Sequence, residues 1–212
     1  YDAVTNYVIK GFNTAKRTKN NATGLIMILF QRLVSSSTAA ILSAMEGRLE
    51  RLRYGDDNDI ENYANDFDDA FEEFEQTVDF DNIYHAAGEG LIDEEELLCD
   101  LIEQAKECMS TEIDAKAEAL LKKYQELQQE KDDKELKILV FTEFRTTQKM
   151  LFDFFRSKGY SCGMINGSQD LDTRKIALAN FKNKSQILIG TDAAGESLNM
   201  QFCHIIINYD LP

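Results

Sequence analysis

From Leu136 onward the chain alternates short apolar runs with amphipathic stretches, and this alternation restricts the possible folds more than any other feature. Ile138-Leu139-Val140-Phe141, Cys162 to Ile165, Ile187-Leu188-Ile189 and Ile205-Ile206-Ile207 each read as a strand. Met150, Leu151, Phe154 and Phe155 mark a helix closed by Gly159, and Ile176, Leu178, Ala179 and Phe181 mark another. Strands apolar on both sides must be covered on both sides, and strands separated by helices pair in parallel. The spacing predicts an α/β unit, a parallel sheet with helices on both faces.

In an open parallel sheet the residues just past the carboxyl ends of the strands line the binding crevice. Three loops qualify: Thr142-Glu143-Phe144-Arg145, Asn166-Gly167-Ser168-Gln169-Asp170, and Thr191-Asp192-Ala193-Ala194-Gly195-Glu196-Ser197. Their Gly, Ser, Thr and Asp content suits them to offering hydroxyls and backbone N–H groups to phosphate at a helix N-terminus. Any one of them alone also reads as an ordinary cap or turn.

The part before Leu136 has a different grammar. Residues 1–55 read as a helical attachment segment: Leu25, Ile26, Leu29, Phe30, Leu33 and Val34 share one helical face. After the polar break at Ser35-Ser36-Ser37-Thr38 the pattern resumes at Ile41, Leu42, Met45, Leu49 and Leu52, with Gly55 as a C-terminal cap. Residues 56–90 read as an acidic insertion in which Phe67, Phe71 and Phe74 predict a short amphipathic helix. Residues 91–135 carry apolar residues at Leu98, Leu101, Ala105, Cys108, Ile113, Ala117, Leu120, Tyr124 and Leu127. With Asp93 and Glu96 as a capping pair, they predict one long connecting helix ending near Lys131.

Charge is laid down in blocks. Residues 1–53 hold 8 basic and 3 acidic side chains, whereas 54–105 hold 19 acidic and no basic ones; the net charge is −15. A negative total opposes binding to nucleic acid unless cations gather on one face, and Lys10, Lys16, Arg17, Lys19, Arg32, Arg48, Arg51 and Arg53 are the candidates for that face. The four cysteines are scattered without a C-x-x-C pair and only two histidines are present, so no metal and no disulfide framework is expected, and a cytoplasmic setting is. The most apolar run, Leu25 to Phe30, is too short to cross a bilayer, and no membrane role is expected.

The stretches "ILVFTEFRTT", "INGSQDLDTR" followed by "IALANF", and "ILIGTDAAGESLNMQFCHIIINYDLP" resemble the successive motifs of the second RecA-like lobe of superfamily-two helicases. The likeness is to Swi/Snf-type ATPases of the bacterial RapA-like, RNA-polymerase-associated group. "LFQRLVSSSTAAILSAMEGRLERL" resembles the helical segment preceding that lobe. The resemblance covers Leu136 to Pro212 strongly, Gly24 to Leu52 more loosely, and the acidic insertion not at all. It implies a parallel RecA-like sheet, preceded by an all-helical segment, as the C-terminal ATPase lobe (136–212) of a DNA translocase.

By the same resemblance Thr191 contacts a phosphate of the tracked strand, and Thr142 and Arg174 stand at the backbone-contacting positions of the earlier motifs. Gly195 and Glu196 flank the ATP cleft, and Asn199 takes the place of a ribose-contacting polar residue. Asp192 orients its loop, and Ser197 stands where the family more often has Gly. ATP and Mg2+ are the implied cofactors of the full-length protein. The implied partners are duplex DNA, an N-terminal RecA-like lobe in the same chain, and a protein such as RNA polymerase.

No G-x-x-x-x-G-K-[ST] phosphate loop occurs, and the family's arginine-finger motif would follow the terminal "NYDLP". Leu91-Ile92-Asp93-Glu94-Glu95-Glu96 resembles an acidic metal motif only superficially. Helix capping and the macrodipole account for those carboxylates. The chain therefore reads as a fragment of a longer enzyme, inactive and without bound cofactor alone, and binding DNA weakly. The alternative is a regulatory or protein-interaction module that keeps the RecA-like fold without catalysis.

Overall fold

The computed structural model describes residues 1–19, 21–54, 93–111, 114–191 and 202–210. The chain divides into two compact units, Tyr1–Glu112 and Ile113–Pro212. Gly55, the loop from Asp192 to Asn199, and the acidic insertion on which the phenylalanine helix is expected lie outside the described residues.

The described residues of the first unit form four helices: α1 (Asp2–Thr18), α2 (Asn21–Ser36), α3 (Thr38–Tyr54) and α4 (Glu94–Thr111). The break between α2 and α3 falls in the serine run as expected. Ser37 caps the new helix, its hydroxyl oxygen accepting from the Ala40 N–H at 3.1 Å. Tyr7, Met27, Phe30, Met45 and Leu98 are buried to within 1% and form the heart of the bundle. Gly11 lets α1 and α2 approach closely, since a Cβ there would lie 2.2 Å from Met27 Sδ.

One polar cluster is sealed in this unit. Glu94 accepts from the Tyr7 hydroxyl at 2.6 Å, from Arg48 Nε at 3.0 Å and from Arg48 Nη2 at 3.2 Å. Arg48 and Glu94 are only 5% and 3% exposed. Burial first, then the Glu94 charge, pushes the Tyr7 phenol well above its usual value. The acidic run at 93–96 is thus only partly a matter of capping. Asp93 has φ 63°, left-handed rather than the extended backbone of an N-cap, and Glu94 points inward to a cation.

The single helix expected over 91–135 is two. Asp114 starts α5 (Ala115–Lys131) by accepting from the Lys116 and Ala117 N–H groups, both at 3.0 Å. The apolar period runs on through the break, which hides it from a pattern reading. Leu98, Leu101 and Ala105 serve the core of the first unit, whereas Ala117, Leu120 and Tyr124 serve that of the second. Helix α5 does end at Lys131, closed by Asp132 at φ 50°.

The second unit continues as β1 (Ile138–Thr142), α6 (Arg145–Ser157), β2 (Cys162–Ile165), α7 (Leu171–Asn183), β3 (Ile187–Thr191) and β4 (Ile206–Asn208). The four strands form one parallel sheet in the order β2-β3-β1-β4. Alternation along the strands divides the core in two. Ile138, Val140, Ile187 and Ile189 pack with Leu120 and Tyr124 of α5 and with Leu151 and Phe155 of α6. Leu139, Leu188 and Ile165 pack with Phe181 of α7 and with Cys203. Each fully buried Leu, Ile or Phe contributes about 1.5–3 kcal/mol, and the central strands β1 and β3 carry most of them.

Gly159 closes α6 at φ 88°, a conformation that favours glycine. Two details depart from the sequence pattern. Strand β4 is an edge, with Ile206 60% exposed, and α7 buries only Phe181 while leaving Ile176 62% exposed.

Candidate functional site

All four strands run the same way, so the loops after β1, β2 and β3 leave from one rim of the sheet. Thr142 and Thr191, the last residues of β1 and β3, stand directly opposite each other in register. Both are 1% exposed. The described part of β3 therefore ends beside the end of β1.

Thr142 does not reach outward. Its hydroxyl donates to Asp210 Oδ2 at 2.5 Å, and the Glu143 N–H donates to the same oxygen at 3.0 Å. The other carboxylate oxygen accepts from Lys116 Nζ at 3.0 Å. Lys116 lies 4.1 Å from the centre of the Tyr209 ring, and the Tyr209 hydroxyl donates to the α5 cap Asp114 at 3.3 Å. One acidic residue past β4 thereby joins the β1 loop to the start of α5. Neither Asp210 nor Lys116 stands out in the sequence: they are 94 residues apart and belong to no short motif. The "NYDLP" string is the one signal that touches Asp210.

Arg174 lies in the first turn of α7. Its Nη2 donates to the Gly167 carbonyl, and its buried Nε has no hydrogen-bond partner among the described residues. The turn that it grips is well ordered by side chains. Ser168 donates to Asn166 Oδ1 at 2.8 Å, and the Asn166 N–H donates to Gln169 Oε1 at 3.2 Å. Asp170 caps α7, accepting from the Asp172 and Thr173 N–H groups at 2.9 and 2.8 Å and from the Thr173 hydroxyl at 2.9 Å. The Thr173 bonds, its backbone N–H first, hold the Asp170 carboxyl below the usual aspartate value.

Gln148 is a residue that sequence reasoning misses. It is 2% exposed on α6, and its amide donates to the carbonyls of Ile165 and Ile189, both at 2.8 Å. Its oxygen accepts from Asn166 Nδ2 at 3.1 Å. A glutamine after two threonines gives no pattern that distinguishes it from a surface helix position.

Gly195, Glu196 and Asn199, the residues expected to face nucleotide, fall outside the described residues, as do Asp192 and Ser197. The cationic face expected in the first unit is smaller than its residue count suggests. Arg48 is committed to Glu94, and Arg53 pairs with Glu95 at 2.7 Å, while Lys10, Lys16, Arg17 and Lys19 are exposed on or next to α1. No helix among the described residues is long and apolar enough to cross a membrane.

Fold and rim define a RecA-like lobe that presents polar loops from the carboxyl ends of its strands. Residues 116–212 match the model of the helicase conserved C-terminal domain. The chain is 41% identical over 76 residues to the uncharacterized ATP-dependent helicase YqhH of Bacillus subtilis (strain 168), covering 36% of this chain and 14% of that protein. It is 36% identical over 77 residues to the ATP-dependent RNA helicase p62 of Drosophila melanogaster, covering 36% of this chain and 11% of that protein. The fold is similar to that of the Hef helicase domain of Pyrococcus furiosus. The TM-score is 0.53 and the identity 18%, over 87% of this chain and 33% of that one. The matched segment thus spans 14% of the length of YqhH and 11% of that of p62.

Proposed function

We propose that this chain is the C-terminal lobe, with its helical attachment, of an ATP-dependent DNA translocase of the Swi/Snf type, in the RapA-like group. The observation that carries the reading is the register pairing of Thr142 with Thr191 on one rim, inside a segment that matches the helicase C-terminal domain. Two threonines side by side at neighbouring strand ends suit a pair of adjacent phosphates. A hydroxyl or backbone N–H donates to a phosphate oxygen without adding charge, and such contacts fix position without reading base sequence. In this reading Thr191, Thr142 and Arg174 contact the tracked backbone. Because Thr142 is held by Asp210, its part of the contact falls to the loop backbone unless the Asp210 bond opens.

Gly195, Glu196 and Asn199 form one wall of the ATP cleft, the other wall belonging to an N-terminal RecA-like lobe. ATP, with Mg2+ neutralising its phosphates, supplies the free energy of stepping when bound between the lobes. The chain's own loops couple that cleft to the track. The domain alone is non-catalytic, it binds duplex DNA weakly against its charge of −15, and its setting is cytoplasmic. RNA polymerase is the protein partner that the RapA-like grouping favours.

A second reading, an RNA helicase lobe, draws on p62 and on the Meyerozyma guilliermondii protein DBP2, a relative 31% identical over 81 residues that is also named an ATP-dependent RNA helicase. ATP hydrolysis by the full-length protein, measured with duplex DNA and with RNA, separates the two. The DNA reading expects stimulation by duplex DNA above RNA, and the reverse order would replace it. ATP turnover by the 212-residue chain alone would refute the assignment of its parts.

A further inference from the structure

We propose that Gln148 is a positioning residue that sets the spacing between the carboxyl ends of β2 and β3, and with it the spacing of Arg174 and Thr191. The inference rests on the nucleic-acid reading of the rim. Gln148 sits in the first turn of α6, its own N–H donating to the Phe144 carbonyl of the β1 loop at 2.8 Å. Its side chain is buried under the rim and all three of its bonds go to the ends of neighbouring strands. Both amide hydrogens are used, on Ile165 O and Ile189 O, where the β2–β3 ladder ends. The amide oxygen is used by Asn166, the first residue of the turn whose Gly167 carbonyl holds Arg174.

Side-chain bonds therefore run from Arg174 through the β2 turn to Gln148, and from Gln148 to the residue two before Thr191. The ends of β2 and β3 and the first residue of the turn after β2 meet on this one amide. Glutamine is the only standard side chain of this length that offers two hydrogens and an acceptor together. Glutamate would set an acceptor against two carbonyls, and methionine would leave all three partners without their bond. A displacement of about 1 Å between phosphate-contacting groups is enough to weaken a bound geometry by one to two orders of magnitude.

The test uses the full-length protein and duplex DNA, with affinity measured by fluorescence anisotropy over a salt series. Gln148→Met is expected to weaken binding roughly tenfold at fixed salt while the slope of log affinity against log salt stays unchanged, because Gln148 neutralises no phosphate. Arg174→Ala, in contrast, is expected to reduce that slope by about 1. Unchanged affinity in a folded Gln148→Met protein, or a slope reduced as in Arg174→Ala, would overturn the proposal.

Should Gln148→Met not fold, Asn166→Ala cuts only the outer link. It should weaken binding several-fold, about the square root of the tenfold effect, with the same slope, and no change would again count against the proposal. Should the wild-type protein bind neither DNA nor RNA, the functional reading fails and not this one. Hydrogen exchange then decides: Gln148→Met should speed exchange at residues 166–170 while α6 stays protected, and unaltered exchange there would overturn it.

Discussion

The two units bury polar groups in different ways. In the helical unit the sealed charge is a lock: Arg48 and Glu94, joined by Tyr7, pin α4 to α1 and α3 in the middle of an apolar bundle. In the α/β unit four buried polar side chains, Thr142, Thr147, Gln148 and Thr191, gather at one end of the sheet, each 2% exposed or less, with Asp210 beside them, while Ser185 is buried at the other end, before β3. Desolvated polar groups are costly wherever they sit, so their placement is informative. A lone ion pair inside a bundle selects one packing among many. A row of hydrogen-bonded groups along a rim holds loops in place, and that is where a binding surface needs rigid support.

The contrast can be broken first at the lock. Arg48→Met strands Glu94 without its guanidinium and should cost about 3–5 kcal/mol of stability, read by urea unfolding of the 212-residue chain. Adding Glu94→Leu should recover much of the loss, since apolar replacement of a buried pair is often neutral. A cost below about 1 kcal/mol for Arg48→Met would mean that the pair acts like an exposed one and locks nothing.

At the rim, Asp210→Asn removes the charge that faces Lys116 but keeps an oxygen for Thr142 and the Glu143 N–H. A loss of about 1–3 kcal/mol is expected, together with faster exchange of the Glu143 amide. Unfolding of the α/β unit without any change at Glu143 would show that Asp210 supports the fold and not the loop.

Asp170 gives a smaller effect with a defined sign. Its carboxyl is held below the usual aspartate value, so its contribution to the α7 cap is fully present above the unfolded value and is lost as pH falls through the lower folded one. The Thr173 amide shift should report that step in an acid titration, and Asp170→Ala should abolish it. Smallest is a reactivity difference. Burial pushes the Cys162 thiol up to about 12. At pH 8 iodoacetamide should therefore modify the exposed Cys108 well before Cys162, as peptide mass mapping would show.

Much of the second unit is legible in the sequence because strand and helix periods differ and because strands buried on both faces read as continuous apolar runs. The four strands, the two helices between them and the Gly159 closure all appear where the pattern places them. The common rim follows from parallel pairing alone. Over 91–135 the same kind of pattern misleads, since a continuous 3.6-residue period says that a face is apolar but not which core it enters. Asp114 supplies a capping signal inside that period, and the period hides it.

From Leu136 onward the sequence by itself determined the order of the described elements, the parallel sheet, the rim at which the strands end, and the match to the helicase conserved C-terminal domain model. All of these depend on local spacing, which a linear string preserves. Only the tertiary structure decided which polar side chains support that rim. Asp210 meets Lys116 across 94 residues and Gln148 meets Ile189 across 41, and hydrogen bonds at such separations leave no periodic trace. Tertiary structure also took Arg48 out of the surface charge, because a guanidinium counted from sequence as a nucleic-acid contact is spent once a buried carboxylate faces it.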